Sequence, residues 1–255
     1  MEYELSLVTV TALIAAGFIG GIINTLAGGG SMLTLPALMM LGMPADVANA
    51  TNRIGVLLQS LTGAREFHRN DRLDSSAIVP VLIPTSSGAL CGALLASYLP
   101  VFVLKPVLLV SMVAIALIML TKPDMVAPPE GTVILTMREK PSAAAGLFLA
   151  GVYGGFVQAG VGFILIAALA GGLRYDLVRT NALKMVCTAV FSFVALAVFI
   201  LRDQVLWIPG LILAMGTVIG AWLSVKFAIS VAQNTLKWIL FIMVSITCTV
   251  AFFYK

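Results

Sequence analysis

Charge is what this chain has least of. Only 10% of its 255 residues are Asp, Glu, Lys or Arg, where a soluble domain carries about 25%. So little charge cannot cover a water-soluble globule, which excludes a soluble enzyme and a nucleic-acid binder. Acidic or basic tails and low-complexity stretches are also missing, which excludes a disordered protein. The three cysteines, Cys91, Cys187 and Cys248, lie in apolar runs without CxxC spacing and read as small packing residues. There is no HExxH, GxSxG or Walker sequence and no pair of intramembrane carboxylates. No catalytic residue, metal or cofactor is therefore expected. Ser31 as a nucleophile would have no histidine to activate it, because the one histidine, His68, sits among Arg65, Glu66 and Arg69 and reads as a loop residue.

What the chain has is apolar sequence. Hydrophobic residues make up 60% of it, and the mean hydropathy is +1.08. A helix needs about 20 apolar residues to cross the hydrocarbon core. Runs at 47–64, 78–99, 103–120, 185–201, 205–225 and 236–254 meet or approach that length. The segment 5–27 is broken after Ala27 by Gly28-Gly29-Gly30 and followed by the short run 32–43. The segment 143–158 is broken near Gly160-Val161-Gly162 and followed by the short run 163–173. Each pair reads as a hairpin that enters the membrane, turns at glycines and returns. Irregular backbone at that depth must be buried in protein or line a watery cavity, so the turns belong inside the molecule. The acidic start, Glu2 and Glu4, is unlike a signal peptide, so the first apolar segment is expected to remain.

The halves resemble one another. Ala16-Gly17-Phe18-Ile19-Gly20-Gly21-Ile22-Ile23-Asn24 matches Ala150-Gly151-Val152-Tyr153-Gly154-Gly155-Phe156-Val157-Gln158. Asp46 matches Asp176, Thr51-Asn52 matches Thr180-Asn181, and Gly88/Gly92 matches Gly216/Gly220. Four features in one order indicate a duplicated unit of roughly 130 residues. Placing the N-terminus outside puts the loops 65–76, 121–142, 174–184 and 226–237 on one side. They hold Arg65, Arg69, Arg72, Lys122, Arg138, Lys140, Arg174, Arg179, Lys184, Lys226 and Lys237, 11 of the 15 basic residues, which makes that side cytoplasmic. Each half then contributes a hairpin and three crossings, so the second enters from the opposite face. The expected architecture is an all-α polytopic membrane protein of two inverted repeats. It forms a single transmembrane domain over 1–255, with repeat one about 5–121, a cytoplasmic linker about 122–142 and repeat two about 143–255. Paired broken helices in inverted repeats are the pattern of secondary transporters, with the substrate near midplane between the repeats.

The chemistry is expected at the turns. Asn24, Thr25, Gly28, Gly29, Gly30 and Ser31 form the first turn, where glycines bring backbone N–H groups close to an anion and a half-helix from Ser31 aims its positive end at it. Gln158, Gly160 and Gly162 form a sparser second turn. Thr51, Asn52, Thr180 and Asn181 lie about one turn into their helices and are candidates for the substrate cavity, whereas Asp46 and Asp176 read as helix N-caps. Arg53 and Lys184 are the cations closest to the middle of the apolar sequence, and an intramembrane charge defaults to function; Arg53 is the stronger candidate partner for a substrate charge. The competing readings are close helix packing for the glycines and snorkelling for the cations. The GxxxG pairs Gly17/Gly21, Gly151/Gly155, Gly88/Gly92 and Gly216/Gly220 read as helix contacts. Outside the loops, the terminus and the helix starts no carboxylate occurs, which argues against a carboxylate proton relay.

The first repeat, Gly20-Gly21, Asn24-Thr25-x-Ala27-Gly28-Gly29-Gly30-Ser31, Pro36, Gly42-x-Pro44 and Ala48-x-x-Thr51-Asn52, resembles the TauE/SafE sulfite exporter family, also called the toluene-sulfonate uptake permease family. The resemblance implies a multi-pass protein of the bacterial or archaeal cytoplasmic (inner) membrane that moves sulfite or small organosulfonates. By it, the glycine turns and Thr-Asn positions line the pathway. The partners so implied are a small sulfur-containing anion and the lipid bilayer, with no nucleic acid; homo-oligomerisation is left open. The expected function is export of such an anion, against an uptake permease for another small anion or metabolite, or a non-transporting membrane protein.

Overall fold

The computed structural model describes residues 6–104, 106, 107, 110, 132–231, 235 and 242. The crossings expected at 103–120 and 236–254 lie outside the described residues apart from isolated positions, as do Lys105, Lys122, Lys237, Cys248, Lys255 and residues 122–131 of the 122–142 linker.

The described residues form helices and no strand. Helix α1 runs over Leu7–Leu26 and starts where the Ser6 hydroxyl accepts from the Thr9 amide at 3.2 Å. After a turn at residues 27–30 comes α2, Ser31–Met40, which Gly42 ends at φ +84°. Helix α3 follows over Ala45–Arg69, and α4 over Ser75–Tyr98 begins on an Asp74 cap. In the second half, α5 is Pro141–Phe156, with its proline in the first turn where no donor is lost. A turn at 157–160 leads to α6, Val161–Ile166, which continues as a π-helix over Ala167–Gly172. Then come α7, Leu177–Ile200, and α8, Trp207–Ser230. Both halves thus read helix, glycine turn, short helix, long helix, long helix.

Among the described residues α1, α4, α7 and α8 are long and apolar enough to cross a membrane. Helix α3 has the length but not the composition, because Asn49, Thr51, Asn52, Arg53, Gln59 and Ser60 are all buried along it. Its polar groups face protein. Helices α4 and α8 instead expose Leu90, Leu94, Leu95, Trp207, Ile208, Leu211 and Met215. An apolar exterior around a polar interior is what the bilayer as solvent requires. The chain is a multi-pass membrane protein.

Glycines set the closest helix contacts. A Cβ on Gly17 would strike the Leu213 carbonyl oxygen, one on Gly21 that of Thr217, one on Gly216 that of Ile14 and one on Gly220 that of Phe18. Helices α4 and α5 repeat the scheme, with Gly88 on Phe148, Gly92 on Val152, Gly151 on Thr85 and Gly155 on Ala89. Residue numbers rise together along both pairs, so α1 runs parallel to α8 and α4 to α5. Each hairpin's first arm therefore packs on a long helix of the other half.

Four expectations need correction. His68 lies in the last turn of α3, because the helix outlasts its apolar stretch by a turn. The expected loops are shorter: 174–184 is loop only to Asp176, so Arg179 and Lys184 are helical, Arg65 and Arg69 lie in α3, and Lys226 lies in α8. Asp176 caps α7, accepting from the Arg179 amide at 2.9 Å, but Asp46 caps nothing: Pro44 holds the cap position and Asp46 sits in the first turn of α3, where the helix dipole favours an acid. Cys187 is buried as expected, whereas Cys91 is exposed on α4.

Candidate functional site

The two glycine turns meet. A Cβ on Gly28 would fall on the Cα of Gly162, and one on Gly162 would fall on the Cα of Gly28. Gly28 at φ +93° and Gly160 at φ +77° are left-handed, which glycine adopts without steric cost. Gln158 is left-handed as well, at φ +66°, a strained conformation of the kind that clusters at functional sites. The Tyr153 hydroxyl pins this second turn by donating to the Ala159 carbonyl at 2.7 Å. Gly29 and Gly30 are shut in by Phe163, Gly20 and Asn24.

Both broken helices end inside the protein, where terminal carbonyls have no water to bond. Cations from the other half cover them. Lys184 on α7 donates to the carbonyls of Asn24 at 3.0 Å and Thr25 at 2.9 Å, and to Asn181 Oδ1 at 2.7 Å. Arg53 on α3 donates through Nη1 to the Gly154 carbonyl, and through Nη2 to Gly155 at 2.9 Å and to Asn49 Oδ1 at 3.4 Å. Asn49 then donates to the Phe156 carbonyl at 2.9 Å, and the Arg53 guanidinium carbon lies 5.5 Å from the Phe199 ring centre. Arg53 is 0% exposed and Lys184 1%, so neither snorkels. The helix C-terminus is the negative end of its dipole, which suits a cation at each. Among the described residues neither cation has a carboxylate within ion-pair distance; the ion pairs there are the exposed Arg69–Glu66 and Arg179–Asp176.

The remaining candidates divide between scaffold and open valence. Asn52 donates to Ser31 Oγ at 3.2 Å and accepts from Thr34 at 2.7 Å, tying α3 to the start of α2. Thr51 accepts from the Leu206 amide at 3.1 Å, and Thr180 donates to the Tyr175 carbonyl at 3.2 Å; both threonines hold loops. Gln158 donates to Ser192 at 3.2 Å. Left without partners are Thr25 Oγ1, Gln158 Oε1, Asn181 Nδ2 and Arg53 Nε, all buried. Buried polar atoms are almost always bonded; these four belong to residues of the turns and cation shells, while Asp46 Oδ1, Gln59 Oε1, Ser60 Oγ and Gln204 Oε1 are open elsewhere. Asn49 and Ser192 are additions that sequence reasoning missed. For Asn49 a signal existed, since it stands four residues before Arg53 and so shares its helix face.

The sequence compares with known proteins along nearly its whole length. The family model described as sulfite exporter TauE/SafE matches residues 13–250. The chain belongs to that family. A probable membrane transporter protein of Sinorhizobium sp, ORF9, is 29% identical to this TauE/SafE chain over 232 residues, covering 90% of it and 87% of the relative. One from Haemophilus influenzae is 28% identical over 234 residues, 91% and 89% of the two chains. YfcA of Escherichia coli K12, also a probable membrane transporter protein, is 28% identical over 225 residues, 88% and 82%. These names give transport across a membrane as the class to which this TauE/SafE chain is similar.

Proposed function

We propose that the protein is an exporter of sulfite or a small organosulfonate in the cytoplasmic membrane, built from two inverted repeats and binding its anion where the two glycine turns touch. The observation that carries this reading is the pair of buried cations capping the two hairpins, with no carboxylate within ion-pair distance among the described residues. A single intramembrane cation costs about 2.5–3.5 kcal/mol on insertion scales. Each helix C-terminus offsets about half an elementary charge, so the balance stays positive by an amount on the order of one charge. An anionic substrate supplies the missing sign. The turn residues Asn24, Thr25, Gly28, Gly29, Gly30, Ser31, Gln158, Gly160 and Gly162 are its surroundings in this reading, with Thr51, Asn52, Thr180 and Asn181 holding the walls. The matching order of elements in the halves and the matching α1/α8 and α4/α5 contacts support the repeat.

Energetics set the direction. Each elementary charge crossing 100 mV is worth about 2.3 kcal/mol, so an anion leaves a cell that is negative inside without further coupling. The test is accumulation of labelled sulfite and sulfoacetate in proteoliposomes. Uptake above that of protein-free vesicles supports the reading. No uptake of either anion by folded protein would overturn the substrate assignment.

A further inference from the structure

Lys184 has three N–H donors, and all three are committed, to the carbonyls of Asn24 and Thr25 and to Asn181 Oδ1. Its charge is not. Every acceptor it holds is neutral, and beside it Asn181 Nδ2 and Thr25 Oγ1 are buried without partners. The bonds from Lys184 to carbonyls are charge-assisted on the donor side only, and an ionised oxygen adds direct Coulomb attraction that a neutral carbonyl lacks. An oxyanion arriving here would outbid the carbonyls for the ammonium and satisfy both open valences.

We infer that the substrate anion and the C-terminal carbonyls of α1 compete for Lys184, with Asn181 Nδ2 and Thr25 Oγ1 completing the anion's shell. This rests on the anion-transport reading above and says which groups of that site change partners. Binding frees the carbonyls of Asn24 and Thr25, which releases the end of α1 from α7. Helix α1 interlocks with α8 through Gly17, Gly21, Gly216 and Gly220, so occupancy is passed to a helix pair rather than absorbed by one side chain. At the other hairpin the cation is braced by further groups. Arg53 spreads its fork over two carbonyls, Asn49 takes a third and Phe199 lies against the guanidinium, so the end of α5 stays anchored. Substrate thus unlatches one hairpin and leaves its counterpart fixed.

An aspartate at position 181 places a carboxylate where the amide oxygen now lies 2.7 Å from Nζ, a built-in rival to the substrate. Sulfite binding to purified detergent-solubilised protein is measured by titration calorimetry, alongside the melting temperature without ligand. Asn181→Asp is expected to melt higher than wild type and to bind sulfite at least tenfold more weakly. Thr25→Val, which removes a hydroxyl at nearly constant volume, is expected to keep the wild-type melting temperature and lose several-fold in affinity; it decides the matter if Asn181→Asp does not fold. Wild-type affinity in Thr25→Val, or in a folded Asn181→Asp, overturns the exchange at Lys184 and leaves transport standing. A folded wild type that binds neither sulfite nor sulfoacetate overturns both.

Discussion

Gly28 and Gly162, 134 positions apart in the chain, touch Cα to Cα. Neither can accept a methyl group, because the atom it would meet is the other's backbone. Gly162→Ala adds only that collision, since its φ is not among the positive ones. Gly42→Ala is the converse case, with φ +84° and nothing within 4 Å of its Cβ, so it carries only the left-handed penalty of about 1–2 kcal/mol. Gly162→Ala is expected to abolish sulfite uptake in proteoliposomes, whereas Gly42→Ala lowers the melting temperature and retains uptake. Full uptake by Gly162→Ala would remove the turn contact from the pathway.

The guanidinium fork of Arg53 is the structural part of its role. Lysine keeps the charge but ends one bond earlier in a single nitrogen, so from position 53 it cannot reproduce the separate Nη1 contact to Gly154 and Nη2 contacts to Gly155 and Asn49. Arg53→Lys leaves at least one buried carbonyl unpaired, which costs about 1–3 kcal/mol. The apparent melting temperature in detergent should fall accordingly. An unchanged melting temperature would mean that the α5 carbonyls do not depend on the fork.

Glycines at the helix contacts separate two opposing effects. Replacing a helical glycine by alanine gains up to about 1 kcal/mol of propensity, while forcing a methyl into packed backbone costs about 1–3 kcal/mol. Gly21→Ala meets the Thr217 Cα at 2.9 Å and Gly155→Ala the Ala89 carbonyl carbon at 2.8 Å, so both should destabilise. Gly146→Ala meets only the Ala168 Cβ at 3.7 Å and should be neutral or stabilising. Thermal unfolding of the three variants checks the ranking, and equal effects at all three would refute the interlocked contacts.

At the expected cytoplasmic side the Tyr175 hydroxyl donates to Asp74 Oδ2 at 2.9 Å, joining the end of the second hairpin to the start of α4. Partial burial pushes the Asp74 carboxyl up, and hydrogen bonds from Ser76 and Tyr175 more than reverse this, so it titrates below its ordinary value. Burial and then the Asp74 contact push the Tyr175 phenol well above its usual range. A carboxylate held low stabilises the fold above its unfolded pKa, about 3.9, and that contribution disappears as pH falls through the lower folded value. Tyr175→Phe removes one of the depressing bonds, so acid unfolding followed by circular dichroism should begin at higher pH. An identical acid profile would show that the contact contributes nothing to stability.

The hairpins were legible because Gly28-Gly29-Gly30 and Gly160-Val161-Gly162 interrupt runs that would otherwise span, and the GxxxG pairs because close helix approach needs small residues at that spacing. The caps were not. Arg53 meets carbonyls 101 and 102 positions away and Lys184 meets carbonyls 160 and 159 away, and no local pattern encodes such distances. Lys184 resembled a loop lysine because Arg174 and Arg179 precede it, yet α7 begins at Leu177 and carries it inside. Asp46 and Asp176 matched in sequence but parted in role because Pro44 starts α3 two residues earlier. The π-helix at Ala167–Gly172 left no signal in a run of small apolar residues that suits an ordinary helix equally well.

Sulfite and sulfoacetate flux in proteoliposomes under a valinomycin-set potassium potential of either sign tests the central claim most directly. An anion passing the cation-lined interface without compensating charge must follow the field, so flux should accelerate toward the positive compartment and slow or reverse when the potential is inverted. Flux of the same size and direction at both signs would contradict an electrogenic anion path through this site.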